Sequence, residues 1–115
     1  MEKMKKEMII EDAEHRQKAL QLGPLEYVFP GSTSKMLDFL CVFDEWDYSI
    51  TDIAKNSGVS FKTAFDEIKR LEIQGVVINN RNVGKAKMYK LNLESLQSRS
   101  IRKLSLDIAV KRANN

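Results

Sequence analysis

Cysteine and histidine each occur once in 115 residues, proline twice and glycine five times. A single Cys41 excludes an internal disulfide, and one cysteine with one histidine cannot build a structural zinc site. Set in the apolar run Phe39-Leu40-Cys41-Val42-Phe43, Cys41 is expected to serve as a small buried hydrophobe, with redox sensing the alternative. That run is the longest uninterrupted apolar stretch, far short of the roughly 20 residues a bilayer demands. Met8-Ile9-Ile10 is likewise too short for the core of a signal peptide. A cytoplasmic, nucleoid-associated protein without a membrane partner is expected. Catalytic parts are also scarce. No nucleophile-base-orienter set and no phosphate-cradling glycine loop is present. His15 follows Glu11 and Asp12 at helical spacing, which reads as a charged, solvated face before it reads as a metal site. The expectation is therefore a protein that is not an enzyme, with no catalytic residue, metal or cofactor.

What is present suits one small globular domain with a terminal arm: 43% hydrophobic and 30% charged residues. Charge is unevenly spread. The net charge is zero over residues 1–22, −4 over 23–59, +4 over 60–92 and +3 over 93–115, against +3 for the whole. An acidic first half and a basic second half point to one face suited to an anionic polymer.

The chain divides into a helical arm (1–22), a connector (23–31), a central domain (32–92) and a C-terminal helix (93–115). Met1, Met4 and Met8 form a stripe on the arm too sparse to hold a helix alone. Gly23-Pro24 and Pro30-Gly31 punctuate the connector. Ser32 or Ser34 can cap a helix running through Met36, Leu37, Phe39, Leu40, Val42 and Phe43, whose apolar residues surround its axis and predict burial. Tyr48-Ser49-Ile50 reads as a short strand. Thr51 then caps a short helix with Ile53 and Ala54 inward, and Asn56-Ser57-Gly58 is a turn. Ser60 caps a longer helix, in which Ala64, Ile68 and Leu71 share one face. Gly75 stops it. Residues 76–78 read as a strand, 79–84 as a turn and 86–91 as a second strand. Two helices joined by a glycine turn and followed by a hairpin make a winged helix-turn-helix. The fold class is thus mainly α with a small β-hairpin, flanked by N- and C-terminal helices.

The segment Tyr48-Ser49-Ile50-Thr51-Asp52-Ile53-Ala54, then Gly58-Val59-Ser60, Leu71, Gly75-Val76 and Val83-Gly84-Lys85-Ala86-Lys87-Met88-Tyr89-Lys90-Leu91-Asn92, resembles archaeal winged-helix transcriptional regulators of the broad MarR/ArsR superfamily. The resemblance covers about residues 30–95 and is best in the wing. It implies a dimeric regulator that binds double-stranded DNA. The clustered cysteines of the metal-sensing branch are missing.

Taking 60–74 as a recognition helix, its first turns would face base edges, which nominates Ser60, Lys62, Thr63 and Asp66, with Lys69 and Arg70 farther along. Ser49, Thr51 and Lys55 would hold phosphates at the preceding helix. Arg81, Lys85 and Lys87 on the wing (79–87) would follow the backbone or minor groove. The long helix has no net charge, and pairing of Asp66 with Lys62 and Arg70 is expected. Its first turn, Ser60-Phe61-Lys62-Thr63-Ala64-Phe65, is less polar than that of the regulators it resembles. Core packing is the first expectation for Phe61 and Phe65, and an exposed flank touching thymine methyls or a protein partner the alternative. Leu93, Ile101, Leu104 and Ile108 form a stripe assigned to homodimerisation, with docking against the chain's own first helix as the alternative. A sequence-specific DNA-binding transcriptional regulator is the leading function. A winged-helix adaptor in a partition, replication or transcription complex is the other.

Overall fold

The computed structural model describes residues 22–114. The helical arm expected over 1–22, His15 included, lies outside the described residues except for Leu22. Five helices and one hairpin follow in the order α1 (Pro24–Val28), α2 (Ser32–Val42), α3 (Ile50–Ser57), α4 (Phe61–Ile73), β1 (Val77–Val83), β2 (Ala86–Leu91) and α5 (Leu96–Ala113). This is a mainly helical winged helix-turn-helix.

The connector expected at 23–31 contains α1, a short helix that Pro24 can start because its missing N–H would be unsatisfied there anyway. Leu25 enters the core. Asp38 of α2 accepts from the Leu25 N–H at 2.7 Å and the Glu26 N–H at 3.0 Å, so a buried carboxylate supplies the cap that Gly23 cannot. The caps expected at Ser32 or Ser34 are not made: Gly31 precedes α2 and no side chain caps it. Nor is α2 buried all round. Met36, Leu37, Leu40 and Cys41 face the core, whereas Val42 and Phe43 are exposed, because only one side of the helix meets α3, α4 and α5. Burial pushes the Cys41 thiol up to about 11, so it stays protonated at neutral pH, as expected of a small core hydrophobe.

Helices α3 and α4 form the helix-turn-helix. Gly58 takes the left-handed conformation (φ 70°, ψ 34°) that ends α3, a position costly for residues with a Cβ. Ala64, Ile68 and Leu71 face inward, as their spacing predicts, and the small Ala64 leaves room at the core contact. Burying a side chain such as Ile68 stabilises by about 1.5–3 kcal/mol.

The hairpin is longer than its sequence reading. Residues 79–83, expected to turn, continue β1, and the register Val83↔Ala86 leaves only Gly84 and Lys85 in the loop. Gly84 alone carries positive φ (60°), the requirement of a type II′ turn, whose twist matches that of the strands. A bulge between Asn79 and Arg81 absorbs one residue. Tyr48 is not a strand but a single bridge to Tyr89, each N–H donating to the other's carbonyl at 2.8 Å.

The C-terminal helix docks on its own chain, the alternative named above for its apolar stripe. Leu93, Ile101 and Ile108 pack against the chain's own core, and α5 lies on α1 and α2. Its buried face is lined by Ser98, whose hydroxyl donates to the Val76 carbonyl at 2.8 Å, and Ser105. Of the stripe assigned to dimerisation, only Leu104 is exposed, at 42%.

Candidate nucleic-acid interface

Two serines start the two helices of the motif. Ser49, not Thr51, caps α3, its hydroxyl accepting from the Asp52 N–H at 3.1 Å. Thr51 sits inside the first turn and is exposed. Ser60 caps α4 as expected, accepting from the Thr63 N–H at 3.1 Å and donating to the Thr63 hydroxyl at 2.9 Å. Each such cap is worth roughly 0.5–2 kcal/mol.

Around α4 the side chains divide into three faces. Ala64, Ile68 and Leu71 are inside. One flank turns to α2: Glu67 accepts from the Thr33 hydroxyl at 2.6 Å and pairs with Arg70, which also reaches Thr33 at 3.3 Å. Arg70 and Thr33 together hold the Glu67 carboxyl below its ordinary range. Asp66 therefore does not pair with Arg70 as expected; Glu67, one residue on, faces Arg70 across a shorter path. The other flank turns to the hairpin. Lys69 donates to the Tyr89 hydroxyl at 3.0 Å, stands 5.6 Å from the ring centres of Phe65 and Tyr89, and lies 3.9 Å from Glu72. Outward remain Lys62, Asp66 and Ile73, all exposed.

Phe61 and Phe65 do not join the core. They are 55% and 43% exposed, with ring centres 6.1 Å apart. The hairpin closes on α4 near Lys69, one turn too late to cover them. They border a groove of about 420 Å³ between α4 and the hairpin, which Ser49 and Thr51 of the α3 start and Lys69, Lys85 and Lys87 also line.

The cations differ in how free they are. Lys55, Lys62, Lys85 and Lys87 are exposed and stand in no ion pair among the described residues. Arg81 is committed: its Nε and Nη2 meet the Asp47 carboxylate at 2.8 and 3.2 Å, and Asn80 donates to the same group at 2.8 Å. These partners pull the Asp47 carboxyl down to about 2, with the Arg81 hydrogen bond the largest cause. The structure thus gathers Ser49, Thr51, Lys69, Lys85 and Lys87 at one groove and Lys62 and Asp66 on the adjoining face, and turns Arg70 and Arg81 toward acidic partners within the fold. Sequence reasoning missed Asp47 and Tyr89. Asp47 is one of several acids in an acidic stretch, and Tyr89 is an alternating strand residue; neither carries a local signal of its distant partner.

No family profile and no curated protein matches the sequence. Solved structures do. The wild-type Lactococcus lactis protein ZitR, in complex with DNA, is similar over 70% of this chain and 54% of its own, with 15% identity and a TM-score of 0.55. A mutant of ZitR gives 16% identity, the same 70% of this chain, 55% of its own and a TM-score of 0.56. The chain thus spans little more than half of ZitR. The transcriptional repressor BigR from Xylella fastidiosa is similar over 95% of both chains, with 16% identity and a TM-score of 0.54. The likeness to BigR therefore extends beyond the motif to almost the whole winged helix-turn-helix chain, α5 included.

Proposed function

We propose that this chain is a double-stranded-DNA-binding transcriptional regulator, not an enzyme, with α4 entering the major groove and the hairpin following the phosphates. The observation that carries the reading is a set of exposed lysines in no ion pair among the described residues: Lys85 and Lys87 of the hairpin, which line the groove, and Lys62 on the outward face of α4. Ser49 and Thr51 stand at the α3 N-terminus, where backbone N–H groups and the helix dipole favour a phosphate. Base reading falls to Lys62 and Asp66, since Ser60 and Thr63 spend part of their hydrogen-bonding capacity on each other. ZitR, of similar fold, was solved with DNA, and BigR is a transcriptional repressor. The archaeal branch of such regulators rests on the sequence motifs alone.

Fluorescence anisotropy on a mixed-sequence duplex at several salt concentrations tests this. Log K should fall against log salt with a slope of about −0.9 per phosphate neutralised. A homodimer is part of the same reading, with Leu96, Leu104, Leu106 and Val110 as the apolar residues that α5 leaves exposed. Light scattering at micromolar concentration should give twice the chain mass, and a monomer would remove the dimer. One observation favours the adaptor reading instead, the exposure of Phe61 and Phe65. Absence of duplex binding even at low salt would select it.

A further inference from the structure

The first two turns of α4 present an apolar surface where a DNA-reading helix ordinarily presents polar groups. Phe61 and Phe65 lie one turn apart, both exposed, and their tilted rings sit 6.1 Å apart. Cations surround them: Lys69 Nζ is 5.6 Å from the Phe65 ring centre, and Lys85 and Lys87 line the same groove. The acids of α4 are mostly occupied, Glu67 by Arg70 and Glu72 by Lys69, which leaves Asp66 exposed beside Phe65. An apolar pair ringed by lysines fits a polyanion that carries apolar points of its own. In the major groove the one apolar group that projects from a base edge is the thymine C5-methyl, set among donors, acceptors and the flat C–H of cytosine.

Resting on the DNA-binding reading above, we propose that Phe61 and Phe65 read thymine methyl groups, so that the favoured duplex is rich in A·T pairs. An aromatic edge set against guanine O6 and N7 or the cytosine amino group would strip those groups of water and give no hydrogen bond in return. Against thymine it buries a methyl. Burying one methyl changes affinity by about fourfold. Two phenylalanines thus allow a preference of about four- to fifteenfold.

The test compares poly(dA–dT) with poly(dA–dU) duplexes, which differ only by the methyl, by anisotropy competition at one salt concentration. The thymine polymer should bind about four- to fifteenfold more tightly. In the Phe61→Ala/Phe65→Ala double variant the ratio should fall to one while the salt slope stays unchanged. Phe65→Leu, which keeps an apolar contact, should retain part of the preference. Because both rings are exposed, the variants should keep the parent's circular dichroism. Equal binding of the two polymers with a normal salt slope overturns methyl reading and leaves DNA binding standing. A ratio that persists in the double variant assigns the preference to duplex shape and also overturns it. No binding to either polymer at low salt overturns the DNA-binding reading, and the inference with it.

Discussion

Lys69 of α4 donates to the hydroxyl of Tyr89 on the hairpin at 3.0 Å, the contact that joins wing to long helix through one side chain. Tyr89 is completely buried, and its backbone also pairs in both directions with Tyr48, just ahead of α3. One residue therefore ties the hairpin to both helices of the motif. Tyr89→Phe keeps the ring and removes the acceptor. It should cost about 0.5–1.5 kcal/mol, read as a melting temperature lower by several degrees. The Tyr89 hydroxyl also holds the Lys69 pKa up, so this contribution is present at neutral pH and lost only as pH rises past the lysine range.

Gly23 and Asp38 form a second dependent pair. A side chain at position 23 would collide with the Asp38 carboxylate, which caps α1. Asp38→Ala leaves two N–H groups of α1 without acceptors and should destabilise by about 1–3 kcal/mol. Gly23→Ala should also destabilise. Gly23→Ala should cost less in the Asp38→Ala background than alone, because the closest contacts, with the carboxylate, are gone and only the Cβ of residue 38 remains in the way, at 2.8 Å; chemical denaturation of the four proteins measures that non-additivity. Full additivity would contradict the contact.

Acid should weaken the tether between the hairpin and the α2–α3 loop. Arg81 and Asn80 hold the Asp47 carboxyl down at about 2. A lowered folded pKa means the unfolded chain binds the proton first as pH falls, so the contribution is complete above the ordinary carboxylate range and disappears on descent to about pH 2. Buried Asp38 runs the other way. Its pKa is raised, chiefly by desolvation, so its ionisation weakens the fold as pH climbs through the carboxylate range. Asp47→Asn should flatten the loss of denaturant midpoint between pH 4 and 2 relative to the parent.

Arg81 and the hairpin lysines should differ in their effect on DNA. Lys85→Ala and Lys87→Ala should each reduce the salt slope by about 0.9, one phosphate contact apiece. Arg81→Ala should change the slope far less, because its charge is already matched by Asp47. Its larger effect should be on thermal stability. A slope change at Arg81 equal to that at Lys85 would show that the pair opens on DNA.

The motif itself was legible along the chain. Ala64, Ile68 and Leu71 recur at helical spacing, Gly58 and Ser60 mark the turn and the cap, and Gly84 marks the hairpin loop. All of these signals act within about four residues, where backbone geometry couples neighbours directly. What tertiary structure alone decided is which edges of those elements are covered. Phe61 and Phe65 have the composition of core residues, yet the hairpin lands at Lys69 and leaves them in solvent. Ile101 and Ile108 have the spacing of a dimer stripe, yet α1 and α2 offer them a surface within the chain. Arg81 has the character of a phosphate ligand, yet Asp47, 34 residues earlier, takes its guanidinium. Periodicity determines that a face is apolar or basic. Only the arrival of a distant segment determines whether that face is buried, paired or left free to bind.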